Sequence, residues 1–421
     1  MNFVRSHGSA VEMRAAAPCR VLMYSHDTFG LGHIRRTRAI ANALVGASEN
    51  VSVLIISGSP LAGSFNFAPG IDFVHVPSVT KAENGQYASA TLRLDLDEVT
   101  ALRTALIRET ASVFRPDILI ADKEPTGFRG ELLPTLDLLA AHGTRRVLGI
   151  RDVLDDPATL RSEWHEKGAI RALIDRYDDI LVYGLEAFYA PLEGVPLPAD
   201  VARRITYTGY LRRTEPGGPP AITYPRMTRG PFILVTTGGG GDGAGLIDLT
   251  LSAYETGLPI LLPALIVFGP FLSRTQRRAF QDRIDRLPNV EAIEFDPRIE
   301  RLMVKAAGIV AMGGYNTFCE ILSFDKPALI VPRSKPRMEQ TIRARRAAEL
   351  GLVRIFDESG DAAADSRAMA EALARLGRQA PPSAAGLPTL LDGLPRVTEA
   401  LFAGGGPAPR AEAAAFGQVG A

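Results

Sequence analysis

From residue 20 onward, short runs of apolar and β-branched residues alternate with longer stretches of helical periodicity. "RVLMYS", "VSVLIIS", "IDFVHVP", "DILIAD", "RRVLGIRD" and "DDILVYG" read as buried strands, with segments such as "RRTRAIANAL" and "EVTALRTALIRETASVF" as helices between them. Strands that are apolar almost throughout are buried on both faces, and helices spaced between them describe a parallel sheet covered on both sides. The pattern stops at "YLRRTEPGGPPAITYPRMTRG", residues 210–230, which is rich in Pro, Gly and Arg and reads as an interdomain linker. A second alternating series follows: "PFILVTT", "PALIVFG", "VEAIEFD", "AGIVAMG", "PALIVP" and "LVRIF". The chain therefore reads as α/β, with an extension at 1–18, a parallel-sheet domain at 19–209, the linker, and a second such domain at 231–386. A closing helix is expected at 387–403, and a Gly-, Ala- and Pro-rich tail at 404–421 reads as disordered.

Composition narrows the partners. With 421 residues, 46% of them hydrophobic, the chain can build two cores of ordinary size. Lys plus Arg and Asp plus Glu stand at 47 each, so no global field recruits nucleic acid or anionic membrane. The scattered aromatics lack an interleaved basic stripe, which again speaks against a nucleic-acid partner. Cys19 and Cys319 are the two cysteines, too few for a disulfide framework or a cysteine zinc cluster, and a reducing cytoplasm fits them. His75, His142 and His165 have no ligand spacing, so no metal site is expected. No run of about 18 apolar residues is present to span a bilayer. "LAGSFNFAPG", residues 61–70, leaves a weak peripheral membrane contact open beside the plainer reading of a loop that buries its own aromatics.

Open parallel sheets bind ligands at the carboxyl ends of their strands, where loops lead into helix N-termini with unpaired N–H groups. Three stretches fall there. In "SHDTFGLGHIRRTRAI", Gly30 and Gly32 let the backbone approach a ligand, and His33 stands at the mouth as a candidate general base. Asp27 on the same loop and Glu124 after "DILIAD" are further catalytic candidates, and Asp122 is a polar group at that same strand end. The plainer alternative makes the glycines a tight turn and Arg35, Arg36 and Arg38 a solvated face. In "ILVTTGGGGDGAGLIDLTL", Gly238, Gly239 and Gly240 expose backbone amides as a nest for a diphosphate. In "AGIVAMGGYNTFCEILSFDKPALIVPRSKPRMEQTIRA", Gly313 and Gly314 end a strand and Asn316 or Thr317 opens a helix. Glu320 suits ribose hydroxyls, although Thr317-x-x-Glu320 also has the form of a capping box. Arg333, Lys335 and Arg337 can neutralise phosphate without a metal, and Gln340 suits sugar hydroxyls. Arg151 and Asp152, after "RRVLGI", read as an internal ion pair.

The third stretch, with "GGYNTFCEILSFDKPALIVPR" and the following "EQTIRA", resembles the nucleotide-binding half of glycosyltransferase family 28. The resemblance implies a GT-B fold, two Rossmann-like domains facing across a cleft. It implies that Glu320 holds the ribose of a UDP-sugar, that Gln340 contacts the sugar, and that the 236–243 loop lies near the diphosphate. "GLGHIRR" also resembles the Gly-x-Gly-His-x-x-Arg of a related nucleotide-sugar hydrolase. The expectation is an inverting, metal-independent hexosyltransferase with no resident cofactor, taking a nucleotide-sugar donor, expected to be UDP-linked, and an unidentified acceptor. A hydrolase using His33 to activate water and a UDP-sugar 2-epimerase are the alternatives, with a non-catalytic sugar-nucleotide binder behind them.

Overall fold

The computed structural model describes residues 18–26, 32–81, 87–218, 220, 222–239 and 241–403. Of the sequence candidates, Asp27, Gly30 and Gly240 lie outside these residues, as do the 1–17 and 404–421 segments.

The first domain is built on β1 (Cys19–Ser25), β2 (Val51–Ser57), β3 (Ile71–His75), β6 (Ile118–Asp122), β7 (Arg145–Arg151), β8 (Asp179–Tyr183) and β9 (Ile205–Tyr207). All pair in parallel, in the spatial order β3-β2-β1-β6-β7-β8-β9. A small antiparallel hairpin, β4 (Val79–Lys81) with β5 (Tyr87–Ser89), stands outside this sheet. The second domain carries β10 (Ile233–Thr236), β11 (Ala264–Val267), β12 (Val290–Ile293), β13 (Gly308–Ala311), β14 (Ala328–Ile330) and β15 (Arg354–Ile355). They run parallel in the order β12-β11-β10-β13-β14-β15. In each sheet the order reverses at one place, between β1 and β6 and between β10 and β13. Such a reversal leaves a crevice beyond the strand ends, because the flanking connections leave on opposite faces. The strands sit where the apolar runs predicted them.

The 210–230 stretch is not a solvent-exposed tether throughout. Tyr210 and Leu211 are fully buried, and Leu211 forms an isolated bridge with Asp392. Tyr210 packs edge-on against Phe188 of the first domain and Phe318 of the second, at ring-centroid distances of 5.5 and 5.2 Å. This aromatic cluster fuses the two cores. The closing helix forms at Gly393–Phe402 and packs back on the first domain, where Arg145 Nη1 donates to the Leu401 carbonyl at 3.0 Å. Gly149 lets the interior close. A Cβ there would lie 2.0 Å from the Tyr183 hydroxyl, so only glycine allows the tyrosine to cross β7. Within 61–70, Phe65 is buried and Phe67 stacks on Phe73 at 5.4 Å, which favours the reading of a loop covering its own aromatics. Among the described residues no helix is long and apolar enough to cross a membrane.

Candidate functional site

The two crevices face each other across a cavity of about 450 Å³. Its first-domain wall is made by Gly32, Arg35 and Arg36 after β1, Phe65 after β2, and Arg151 at the end of β7. The second domain supplies the loops after β10, β12, β13 and β14. The glycine loop contributes Gly238, Gly239 and Gly241, with Gly238 in the left-handed region at φ +67°. Gly313, at φ +80°, makes the turn after β13; a Cβ there would lie 2.8 Å from Ile330. That turn aims the N-terminus of the Tyr315–Ser323 helix at the cavity, with Gly314 as its N-cap. Asn316, Thr317, Glu320, Arg333 and Gln340 line the same space.

His33 follows Gly32 and sits behind the lining residues, beside Arg36 of the wall. Its Nδ1 stands 2.5 Å from Asp122 Oδ2. Asp122 also accepts both arms of the buried Arg36 guanidinium, Nε at 2.8 Å and Nη2 at 2.6 Å. Burial alone would push the Asp122 carboxyl up, but the Arg36 and His33 contacts hold it well below the usual carboxylate range. Arg36 Nη2 also lies 3.2 Å from His33 Nδ1, but its shorter bond is the one to Asp122, so the ionised carboxylate draws the His33 proton to Nδ1 and leaves the lone pair on Nε2. Burial lowers His33 to about 4 against the pull of Asp122, so the ring is neutral at pH 7. The His26 ring meets it edge-on at 5.6 Å and is itself lowered to about 3, chiefly by burial. Arg36 is therefore no part of a solvated face. Its guanidinium lies 5.6 Å from the Tyr315 ring, which Arg343 approaches at 5.7 Å.

Across the cavity, Arg35 Nη2 reaches into the second domain and binds Glu320 Oε1 at 2.5 Å and Glu300 Oε1 at 2.8 Å. Arg35 too is removed from the solvated face expected of it. Glu320 Oε2 is buried with no partner among the described residues. Burial raises the Glu320 carboxyl to about 7, with Arg35 opposing and Glu300 reinforcing the shift. The capping box is not formed: the helix starts at Tyr315, so Thr317 is already its third residue and no side chain caps it. Glu320 is thereby left without that local role. Asn316 ties the domains together, donating to the Gly32 carbonyl and accepting from Arg213, both at 2.8 Å.

Several candidates have other partners. Glu124 is buried in contact with Lys123 at 3.3 Å and Lys167 at 3.6 Å and is not in the cavity wall, so its carboxylate is committed to those amines. Arg337 turns from the cavity to Asp155 and Glu163. Arg333 stays at the wall, paired with Asp242, and its backbone N–H donates to Gln340 Oε1 at 3.3 Å. Arg151 and Asp152 do not pair with each other. Asp152 takes both arms of Arg343 across the domain boundary, at 2.6 and 2.8 Å, together with the Tyr210 hydroxyl at 2.8 Å. Arg151 donates instead to Glu339 at 2.5 Å. Among the described residues no group of three His, Cys, Asp or Glu is placed to hold a metal.

The sequence alone did not single out Glu300, Arg213 or Phe65 as site residues, and Asp122 stood only among polar residues at strand ends. Positions near strand ends were the available signal; the side-chain partners of Asp122, Arg213 and Glu300 are 86 to 265 residues away.

Residues 264–374 match the model of the glycosyltransferase family 28 C-terminal domain. No curated protein matches the chain by sequence. In fold, the chain is similar to the glycotransferase of kitacinnamycin, at 16% identity and a TM-score of 0.60, over 92% of this chain and 99% of that one. It is similar to MurG of Acinetobacter baumannii at 15% identity and a TM-score of 0.56, over 91% of this chain and 99% of that one. A UDP-N-acetylglucosamine 2-epimerase is also similar, at 14% identity and a TM-score of 0.58, over 92% of this chain and 96% of that one. The GT-B fold and the family 28 likeness read from the sequence are borne out.

Proposed function

We propose that this chain, with a glycosyltransferase family 28 C-terminal domain set in a GT-B fold, transfers a hexosyl group from a nucleotide-activated sugar to an acceptor hydroxyl with inversion. Uridine diphosphate is the expected carrier. The observation that carries the reading is the facing of two half-sites: the His33–Asp122 couple, held against Arg36 of the first-domain wall, and Glu320 in the opposite wall, whose Oε2 has no partner among the described residues.

In this reading the ribose hydroxyls donate to Glu320, which requires Arg35 to yield part of its hold. The diphosphate lies over the amides of Gly238, Gly239 and Gly241 and of Gly314 and Tyr315, where helix N-termini favour negative charge. His33 Nε2 takes the proton of the acceptor hydroxyl as that oxygen attacks the anomeric carbon. The bond to the diphosphate oxygen breaks on the opposite face and its electron pair leaves with the phosphate. Asp122 stabilises the resulting imidazolium and Arg36 keeps Asp122 ionised. Helix ends and arginines, rather than a divalent metal, take up the leaving charge. We place the reaction in the cytoplasm, in keeping with two free, buried cysteines.

The test is turnover with a panel of UDP-sugars and hydroxyl acceptors. His33→Ala is expected to keep nucleotide affinity and lose about 100-fold or more in turnover. Unchanged turnover removes His33 from the chemistry. UDP release at full rate without acceptor selects the hydrolase, and scrambling of the sugar at C2 with no acceptor consumed selects the epimerase.

A further inference from the structure

Arg151 has no role in the chemistry above, and the sequence assigned it to a local ion pair that does not form. It enters the cavity wall from the carboxyl end of β7, in the domain opposite the nucleotide half-site. Among the described residues only Nη2 has a carboxylate, Glu339 Oε2 at 2.5 Å, and Nε is buried with no partner. Glu339 is itself divided, since Arg333 Nη2 lies 3.6 Å from its other oxygen. Arg333 in turn binds Asp242, at the end of the glycine loop. A line of alternating charge thus runs from the first domain through Glu339 and Arg333 to the diphosphate nest. Burial lowers the Arg151 pKa against the pull of Glu339, and the neighbouring Arg36 and Arg343 add to the lowering.

We propose that Arg151 binds the terminal phosphate of the donor and stabilises it as the leaving group. The inference rests on the nucleotide-sugar reading of this cavity. On binding, Glu339 stays with Arg333 while the phosphate oxygens take the unused donors of Arg151, a planar fork suited to them. No bond beyond those of the transfer reaction is made or broken: the electron pair of the cleaved C–O bond settles on a phosphate oxygen facing the guanidinium. A leaving-group contact supplied by the first domain also ties departure of the diphosphate to closure over the acceptor.

The experiment is calorimetric titration of the full chain and of Arg151→Gln with UDP, UMP and uridine. The wild type is expected to prefer UDP over UMP, and Arg151→Gln to shrink that preference by about 10-fold or more, with uridine affinity unchanged. An unchanged UDP-to-UMP ratio in a folded variant overturns the proposal. A loss seen with UDP-glucuronate but not with UDP also overturns it, by moving the anion to a sugar carboxylate. Glu339→Gln, which frees Arg151, is expected to hold or raise the preference; a lowered ratio there counts against the proposal even if Arg151→Gln does not fold. A wild type that binds none of the three uridine compounds sinks the nucleotide reading itself and is thereby told apart from a failure of Arg151 alone.

Discussion

Asp122→Asn separates the structural from the chemical work of one carboxylate. In the folded chain Asp122 is buried, receives Arg36 through two arms and stands 2.5 Å from His33 Nδ1. Asparagine keeps the size and removes the charge. Arg36 is then a buried cation without its partner, and breaking such a pair costs about 3–5 kcal/mol, readable as a lower denaturant midpoint. The catalytic consequence is distinct. The amide NH2 can face His33 Nδ1, which puts the ring proton on Nε2 and spoils it as a base; turnover is expected to fall by about 10⁴-fold. The pH profile carries the third signature. Asp122 pulls the His33 pKa upward against burial, so its loss lowers that pKa further from about 4. The acid limb of kcat/KM, where the base becomes protonated, therefore moves to lower pH. The assay is UDP release from a UDP-sugar with acceptor, run from acid to neutral pH on protein shown to be folded. Wild-type turnover, or an acid limb displaced to higher pH, refutes the assignment of Asp122 as the residue that orients His33.

Glu320→Gln keeps the side-chain shape but replaces one of the carboxyl oxygens proposed to receive the ribose, and UDP affinity is expected to fall by about 10-fold by calorimetry, since a hydrogen bond is worth about 0.5–1.5 kcal/mol. Asp152→Asn leaves Arg343 buried and uncompensated between the domains; a loss of about 3–5 kcal/mol is expected by chemical denaturation, whereas a change under about 1 kcal/mol removes this pair as the interdomain tie. His26 and His33 titrate at about 3 and about 4 when folded, below the 6.5 of a free histidine. The unfolded chain then binds more protons, so stability is fully present above about pH 6.5 and declines as pH falls toward 4. Replacing both histidines with Gln should flatten the melting temperature over that window, and an unchanged slope means the two rings are not the source.

The sequence made the sheets legible because the central strands, buried on both faces, are written as near-continuous apolar runs; β10 reads ILVT and β13 GIVA, every residue buried. The loops were legible too, since glycines after a strand have few other uses. The β4–β5 hairpin escaped because three-residue strands carry no measurable period. What could not be read was partnership. Arg36 and Asp122 stand 86 residues apart, and Arg343 and Asp152 191 apart, so nothing local distinguishes these buried arginines from surface ones. The same limit produced the error at Arg151 and Asp152: Arg151 ends β7 and Asp152 lies just beyond it, and their partners Glu339 and Arg343 come from 188 and 191 residues on. The capping box failed for a local reason, because the left-handed turn at Gly313 starts the helix at Tyr315, before Thr317 can act as a cap.

The central claim is that the crevices of the two sheets share one activated sugar, gripped from the second domain by its ribose. A crystal structure of the full chain soaked with UDP tests it most directly. The account predicts the ribose against Glu320 Oε2, with the diphosphate across Gly238, Gly239, Gly241 and Gly314. Well-ordered UDP bound elsewhere, with Arg35 still closed on Glu320, contradicts it.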